Sequence, residues 1–398
     1  MAKPAQSKSY PIAEPDIGKL EERYVLDAVR SGWVSSLGRY VTEFENRFAQ
    51  FCETREGIST CNGTAALHLA LASLGIGRGD EVVVPALTFI ATASAVLYAG
   101  AVPVFADADE STWCVSAKTI AAALSERTRA IVVVHLYGQP ADMDPILELA
   151  ASRGIVVIED AAEAHGALYR GRKVGSLGRV GVFSFYGNKI ITTGEGGMIT
   201  TNDAQLAERC RFLRDHAMSL TERYFHPEIG YNYRLTNLQA ALGLAQLERI
   251  DEFVRHRRDV MRWYREDLDD HFDLVLNPSL PWAVNANWMV SALFPESINT
   301  EKIASRLRGL GVDTRPFFRP LHLLPPFSAP ADREPKGLPV AERLAQRGLN
   351  LPTAGHLRRN DIRFITKSVE DLIAELSGQS SSGAPRSGKK PAARSFRD

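Results

Sequence analysis

Residues 180 to 201 carry a single lysine, Lys189, in a glycine-rich turn (Gly187, Asn188, Thr192, Thr193, Gly194, Gly196, Gly197). Apolar, β-prone runs flank the turn: Val180 to Phe185 before it and Met198 to Thr201 after it. Strand, turn and returning strand hold one side chain at a sheet edge, with backbone close to something small. A lysine desolvated there sheds its proton and becomes a nucleophile toward a carbonyl. Upstream, Asp160 ends an apolar run in Val157-Ile158-Glu159-Asp160-Ala161-Ala162-Glu163-Ala164-His165-Gly166. A carboxylate at the end of a buried strand is costly unless a cation meets it. Further upstream, Cys61-Asn62-Gly63-Thr64-Ala65-Ala66 turns directly into an Ala/Leu helix. Gly63 and Thr64 at a helix N-terminus offer an anion N–H groups, a hydroxyl and the helix dipole, although Thr64 could equally serve only as the helix cap.

One cation that suits Asp160 is a protonated pyridine ring. A lysine for an aldehyde, an acid for a pyridinium nitrogen and a phosphate cradle are together what pyridoxal phosphate chemistry requires. Ser184, on the strand leading to Lys189, is a second candidate phosphate ligand, and Phe89 is an aromatic suited to stack on the ring. Singly, each has a plainer reading: Lys189 as a surface hairpin residue, Asp160 as a strand-end turn, Phe89 as core. Their joint occurrence favours the chemical reading.

The intervening pattern supplies a scaffold. Strands are expected at 56–60, 81–84, 102–105, 130–134 and 155–158, and helices at 20–30, 40–52, 88–98, 119–124 and 143–152. Nearly continuous apolar strands such as Ile131-Val132-Val133-Val134 suit a mostly parallel sheet buried on both faces. Ligands of such sheets gather at the carboxyl ends of the strands, where Thr88-Phe89, His135-Tyr137-Gly138 and Glu159-Asp160 fall. One long helix or two is expected over 235–268. Later come strands at 288–294 and 312–318 and helices at 300–310, 335–347 and 361–376. The expected organisation is a loose N-terminus (1–9), a large α/β domain (10–250), a smaller α+β domain (251–376) and a disordered tail (377–398) of Ser, Gly, Pro, Lys and Arg.

Composition narrows the function classes. The chain has 398 residues, with 47 Lys plus Arg against 47 Asp plus Glu. That balance argues against a nucleic-acid partner bound by charge. The four cysteines are scattered without a CxxC, which suggests neither a disulfide framework nor a zinc site and fits a reducing, cytoplasmic setting. No apolar run approaches bilayer-spanning length, and the first residues lack a signal-peptide core.

The motifs Asn62-Gly63-Thr64-Ala65-Ala66-Leu67, Pro85-Ala86-Leu87-Thr88-Phe89, His135-Leu136-Tyr137-Gly138-Gln139-Pro140, Glu159 to Gly166, Ser184 to Lys189 and Gly230-Tyr231-Asn232-Tyr233-Arg234 carry a resemblance. From Tyr10 to about Leu376 the chain resembles the DegT/DnrJ/EryC1/StrS sugar aminotransferases, which have the fold-type I (aspartate aminotransferase-like) pyridoxal phosphate architecture. The resemblance makes Lys189 the Schiff-base lysine and Asp160 the pyridinium partner. Glu163 becomes the residue near the ring hydroxyl, Gly63, Thr64 and Ser184 phosphate contacts, and Phe89 the stacking aromatic. It has Asn232 reach the phosphate of a neighbouring subunit's cofactor, which implies a homodimer with shared active sites. Relatives that dehydrate the same ketosugar carry histidine in place of the lysine, so Lys189 points to amination. Gly194-Glu195-Gly196-Gly197-Met198, Thr314-Arg315-Pro316, Pro320-Leu321-His322 and Gly348 to Pro352 resemble the branch that aminates C4 of GDP-4-keto-6-deoxymannose with L-glutamate. Arg315, Arg319 and His322 are then expected at the site mouth, facing the nucleotide-sugar diphosphate. Two alternatives stand: a UDP- or dTDP-linked keto sugar aminated at C3 or C4, and a catalytically inactive regulator on the same scaffold.

Overall fold

Seven strands form the central sheet: β1 (Glu56–Thr60), β2 (Glu81–Pro85), β3 (Val102–Ala106), β4 (Thr128–Val134), β5 (Val156–Asp160), β6 (Val180–Ser184) and β7 (Gly197–Thr201). The computed structural model describes residues 8–268, 272–327 and 337–377. The strand order is β1-β7-β6-β5-β4-β2-β3. Pairings from β3 through β6 are parallel, and β7 pairs antiparallel with both β6 and β1. Successive side chains of a strand point to opposite faces, so each apolar strand feeds two cores. Val83, Ile131, Val133 and Phe183 join one core with Phe44, Phe48 and Leu244. Val82, Val84, Val132 and Val182 join the other with Leu69, Val96 and Leu206.

Helices cover both faces. They are α1 (Lys19–Arg30), α2 (Arg39–Phe51), α3 (Gly63–Ser73), α4 (Ala91–Tyr98), α5 (Ala117–Ala121), α6 (Met143–Arg153), α7 (Ala204–Arg214), α8 (Asn237–Glu248) and α9 (Ile250–Leu268). The stretch 235–268 is thus two helices. Thr236 caps α8 reciprocally with Gln239, and the chain leaves helical geometry at Arg249. Helix α4 begins at Ala91 rather than 88, so Thr88 and Phe89 stay in the loop after β2. Helix α5 begins at Ala117 because Ser116 caps it.

A second, antiparallel sheet contains β8 (Val275–Leu276), β9 (Val290–Leu293), β10 (Arg315–Pro316) and β11 (Gly348–Leu351), in the order β8-β9-β11-β10. The strand expected over 312–318 shrinks to Arg315–Pro316, since Val312 and Asp313 pair instead with Tyr10. With α9, α10 (Thr300–Gly309) and α12 (Arg359–Ser377) this sheet encloses a third core. Tyr10 belongs to that core and bridges to Val312, and Lys8 pairs with Asp361. The segment 8–10 is therefore tied to the C-terminal core rather than loose, because an aromatic ring finds apolar cover there. Helix α11 (Pro339–Arg347) lies between. Of the expected tail, only Ser377 is described, as the last residue of α12; 378–398 lie outside the described residues.

Beside the end of β5, Glu159 is fully buried and accepts N–H groups of Gly175 (2.8 Å), Leu177 (2.7 Å) and Gly178 (2.7 Å). Its fourth partner is His135 Nε2 at 3.0 Å. His135 Nδ1 accepts from Ala141 N–H, so Nε2 carries the proton and donates. This carboxylate pins the loop between β5 and β6 to the strand ends. Glu159→Ala leaves these donors unsatisfied, and we expect urea unfolding to show a loss of about 3–5 kcal/mol. A loss within about 0.5 kcal/mol, the level of an ordinary surface change, would contradict this.

Candidate active site

Asp160 is the last residue of β5 and is paired in register with Val134 and Val182 on the neighbouring parallel strands. It is buried, and both of its hydrogen-bond donors are neutral: Thr92 Oγ1 at 2.8 Å and Ala162 N–H at 3.2 Å. Burial raises its pKa, with the Thr92 bond opposing. Three residues on, Glu163 is also buried. Its Oε2 accepts Tyr137 N–H at 2.8 Å. Tyr137 holds a left-handed φ of 53° in the tight turn after β4, a conformation that costs a non-glycine residue about 1–2 kcal/mol. Gly138 follows at φ +95°, where an added Cβ would lie 2.8 Å from Asn287 N, so only glycine closes this turn.

Lys189 lies in the loop joining β6 to β7. Backbone bonds Lys189 N–H to Tyr186 O (2.9 Å), Thr193 N–H to Phe185 O (2.9 Å) and Phe185 N–H to Gly196 O (2.8 Å) fold that loop. Its Nζ is 3.6 Å from Glu163 Oε1 and 3.7 Å from the centre of the Trp288 ring. Trp288 is itself fixed by Nε1–H donation to Asn188 O at 2.8 Å. Burial lowers the Lys189 pKa, with Glu163 and Asp160 pulling against it. Burial pushes Glu163 up to about 7.

Helix α3 opens on Gly63. Its cap is Asn62, whose side chain accepts Ala65 N–H at 2.8 Å, so the Thr64 hydroxyl is not the cap. Gly63 lies against Ser184: an added Cβ would be 2.9 Å from Ser184 Cβ. Phe89, 55% exposed, stands opposite with Phe318 at 5.8 Å between ring centres. Gly63, Thr64, Phe89, Asp160, Glu163, Ser184, Lys189 and Arg315 all line one cavity of ≈ 700 Å³.

Three expected residues lie elsewhere. Arg319 is exposed and outside the cavity lining. Asn232 is also exposed and outside it, with its backbone bridged to Asp215. The expectation of His322 at the mouth is corrected: its ring is buried, and Nε2 lies 3.1 Å from Glu342 Oε1. The turn Leu321–Leu323 carries it inward, held by Leu321 N–H to Ala86 O at 2.8 Å. Thr92 and Trp288 escaped sequence reading, and Tyr137 falls there at a strand end without a role. Thr92 had one usable signal, a threonine one turn beyond Thr88 in a helix starting at a strand's carboxyl end. Trp288 lies 99 residues from Lys189, and no local pattern joins them.

These residues fit pyridoxal phosphate. Asp160 is a buried carboxylate whose donors are neutral, suited to a pyridinium nitrogen. The Gly63–Ser184 approach leaves backbone and hydroxyl where a phosphate would sit at a helix N-terminus.

A profile of the DegT/DnrJ/EryC1/StrS aminotransferase family matches residues 15–370. The chain is 46% identical over 365 residues to the GDP-perosamine synthase of Caulobacter vibrioides, covering 91% of this chain and 98% of that protein. It is 39% identical over 360 residues to EpsN of Bacillus subtilis, covering 88% and 92%; that name assigns EpsN provisionally to the pyridoxal phosphate-dependent aminotransferases. Among solved structures it superposes on the aminotransferase TlmJ from Streptoalloteichus hindustanus with a TM-score of 0.87 at 33% identity, covering 92% of this chain and 100% of that one.

The buried carboxylates also set a pH dependence. An acid whose pKa is higher in the folded state contributes stability that is complete below its unfolded pKa and is lost as pH rises through the folded value. For Glu163 that window runs from its ordinary 4.5 to about 7. In the cofactor-free protein, Glu163→Gln should therefore gain stability over the wild type between pH 4.5 and pH 8. The gain, read from urea unfolding, should reach up to roughly 3 kcal/mol. A difference independent of pH would contradict the assigned environment.

Proposed function

The chain belongs to the DegT/DnrJ/EryC1/StrS aminotransferase family, and from that premise we propose that it makes GDP-perosamine. In this reading it moves the amino group of L-glutamate to C4 of GDP-4-keto-6-deoxymannose, for O-antigen polysaccharide. The observation that carries the chemical part is the convergence of Lys189, Asp160 and the Gly63–Ser184 cradle on one cavity. The sugar follows from the 46% identity to a GDP-perosamine synthase spanning nearly all of both chains.

Bound pyridoxal phosphate supplies an aldehyde that exchanges amines and a protonated ring that takes up electrons when a Cα proton leaves. Asp160 holds that ring's proton. Gly63, Thr64 and Ser184 would hold its phosphate, and Phe89 would pack against its ring. Lys189 Nζ is the covalent anchor and, once released, the proton carrier. It takes a proton from glutamate Cα and later delivers one to sugar C4. Its wall of Trp288 and Glu163 keeps water from competing for that proton. Arg315, which lines the cavity, and the exposed Arg319 meet the substrate diphosphate.

The reading includes a homodimer. Asn232 is solvent-facing in its own chain, on a segment stiffened by Tyr231 and Tyr233, whose rings stack at 4.9 Å. It serves the phosphate site of a second copy. The four free cysteines, three of them buried, suit a cytoplasmic enzyme.

The test is incubation with glutamate and each of the GDP-, UDP- and dTDP-4-keto-6-deoxy sugars, read by mass spectrometry. Amination of the GDP sugar is expected, with at least about a thousandfold loss in a folded Lys189→Ala protein. Preference for a UDP or dTDP sugar would overturn the substrate, and retained turnover in Lys189→Ala would overturn the mechanism. For the dimer, inactive Lys189→Ala and Asn232→Ala subunits are mixed under chain exchange. Shared sites leave one intact site per heterodimer, so activity should partly return; no recovery despite proven exchange would rule sharing out.

A further inference from the structure

Glu163 is held in an unusual way. One oxygen, Oε2, is committed to Tyr137 N–H, and the turn that aims that N–H is kept in a left-handed conformation. Tyr137 is locked in turn, because its hydroxyl accepts Phe318 N–H at 3.1 Å. The other oxygen, Oε1, faces Lys189 Nζ at 3.6 Å. Strain maintained around one side chain points to a requirement on its position.

Two buried carboxylates thus act on one lysine in different settings, Glu163 at 3.6 Å and Asp160 through its charge alone. Asp160 is turned to two neutral donors, Thr92 and Ala162, and burial raises its pKa. Glu163 has a single anchoring donor and a free oxygen. Environments that push paired acids apart separate their roles.

We propose that Glu163 is the proton acceptor for Lys189. In the step, the Nζ–H bond of the Lys189 ammonium breaks and an O–H bond forms at Glu163 Oε1. The products are a neutral amine with its lone pair free and a carboxylic acid; charge is conserved, and no other reactant is needed. An ammonium cannot attack a carbonyl, so the transfer must precede each covalent step of Lys189. A proton affinity near neutrality suits the acid to return the proton afterwards. The inference rests on Lys189 being the reacting amine, as proposed above.

Other groups act on this pair. Asp160 at the end of β5 favours the Lys189 ammonium and raises the Glu163 proton affinity. Arg315 on β10 disfavours the ammonium, and His165 and Cys114 both sense the charges without contacting them. Tyr137 contributes its N–H, and burial together with the Glu163 charge raises the pKa of its phenol.

The first measurement uses cofactor-free protein. Competition labelling with acetic anhydride, read on the Lys189 peptide, gives the pH at which the lysine becomes neutral. Glu163→Gln removes the anion beside the ammonium, so this midpoint should fall by about one pH unit or more, a tenfold rise in neutral lysine at fixed pH. The second uses the loaded enzyme. Its kcat should fall at acid pH as Glu163 protonates and can no longer accept. In Glu163→Gln that acid limb should vanish and the plateau should drop roughly a hundredfold. An unchanged labelling midpoint overturns the coupling. A persisting acid limb, even with a shifted midpoint, reduces Glu163 to a bystanding charge and overturns the acceptor role. Should the Gln variant fail to fold, Glu163→Asp decides: withdrawing the carboxylate by one methylene must still lower the midpoint, and no change overturns the proposal. Activity in Lys189→Ala would instead defeat the underlying mechanism while leaving the labelling result standing.

Discussion

A carboxylate whose hydrogen-bond donors are all neutral, at the end of a buried parallel strand, is the constraint on which the rest depends. Removing Asp160 from water costs several kcal/mol, and two neutral donors recover only part of that. The fold tolerates the cost because strands β4 and β6 hold β5 on both sides in fixed register. Glu159, one residue earlier and facing the opposite way, is satisfied by three N–H groups and a histidine. Adjacent carboxylates on one strand therefore divide their tasks: one locks the loops, and the other waits for a positive charge.

The same sheet edge brings the other groups together. Parallel strands place their carboxyl ends in a row, so the residues following β2, β4, β5 and β6 converge although they are far apart in sequence. Reversal at β7 returns the chain beside β1, whose end leads into Asn62 and α3. That path sets Gly63 against Ser184 and leaves no room for a side chain between them. Trp288, just before β9, and Arg315 on β10 close the cavity, so the lysine is covered by residues from the other half of the chain.

Much of this was legible in the sequence, for physical reasons. Continuous apolar runs announce strands buried on two faces, and the strand ends carried polar residues too costly to be idle. Lys189, Asp160, Gly63, Thr64, Ser184 and Phe89 are read from type and place and Glu163 from the family resemblance, and all of them share one cavity. What stayed hidden depended on tertiary contact. His322 looks like a mouth residue from its neighbours Arg315 and Arg319, but a short helical turn rotates it inward to Glu342. Trp288 beneath Lys189 and Tyr137 beneath Glu163 have no local signature, because each acts through a contact made across the fold. The strand expected over 312–318 is shorter because Val312 and Asp313 are drawn to Tyr10, a contact made across the whole chain.

Asp160 is held buried beside neutral donors, in the place of a pyridinium's partner. The most direct measurement is the rise in melting temperature when pyridoxal phosphate is added to wild type and to Asp160→Asn. Ligand that binds only the folded state stabilises it by RT ln(1 + L/Kd) at free ligand concentration L, so weaker binding gives a smaller rise. The account predicts a cofactor-free Asp160→Asn protein at least as stable as the wild type, because a desolvated charge has been removed, but a markedly smaller rise on adding cofactor. An equal rise in both proteins would contradict it.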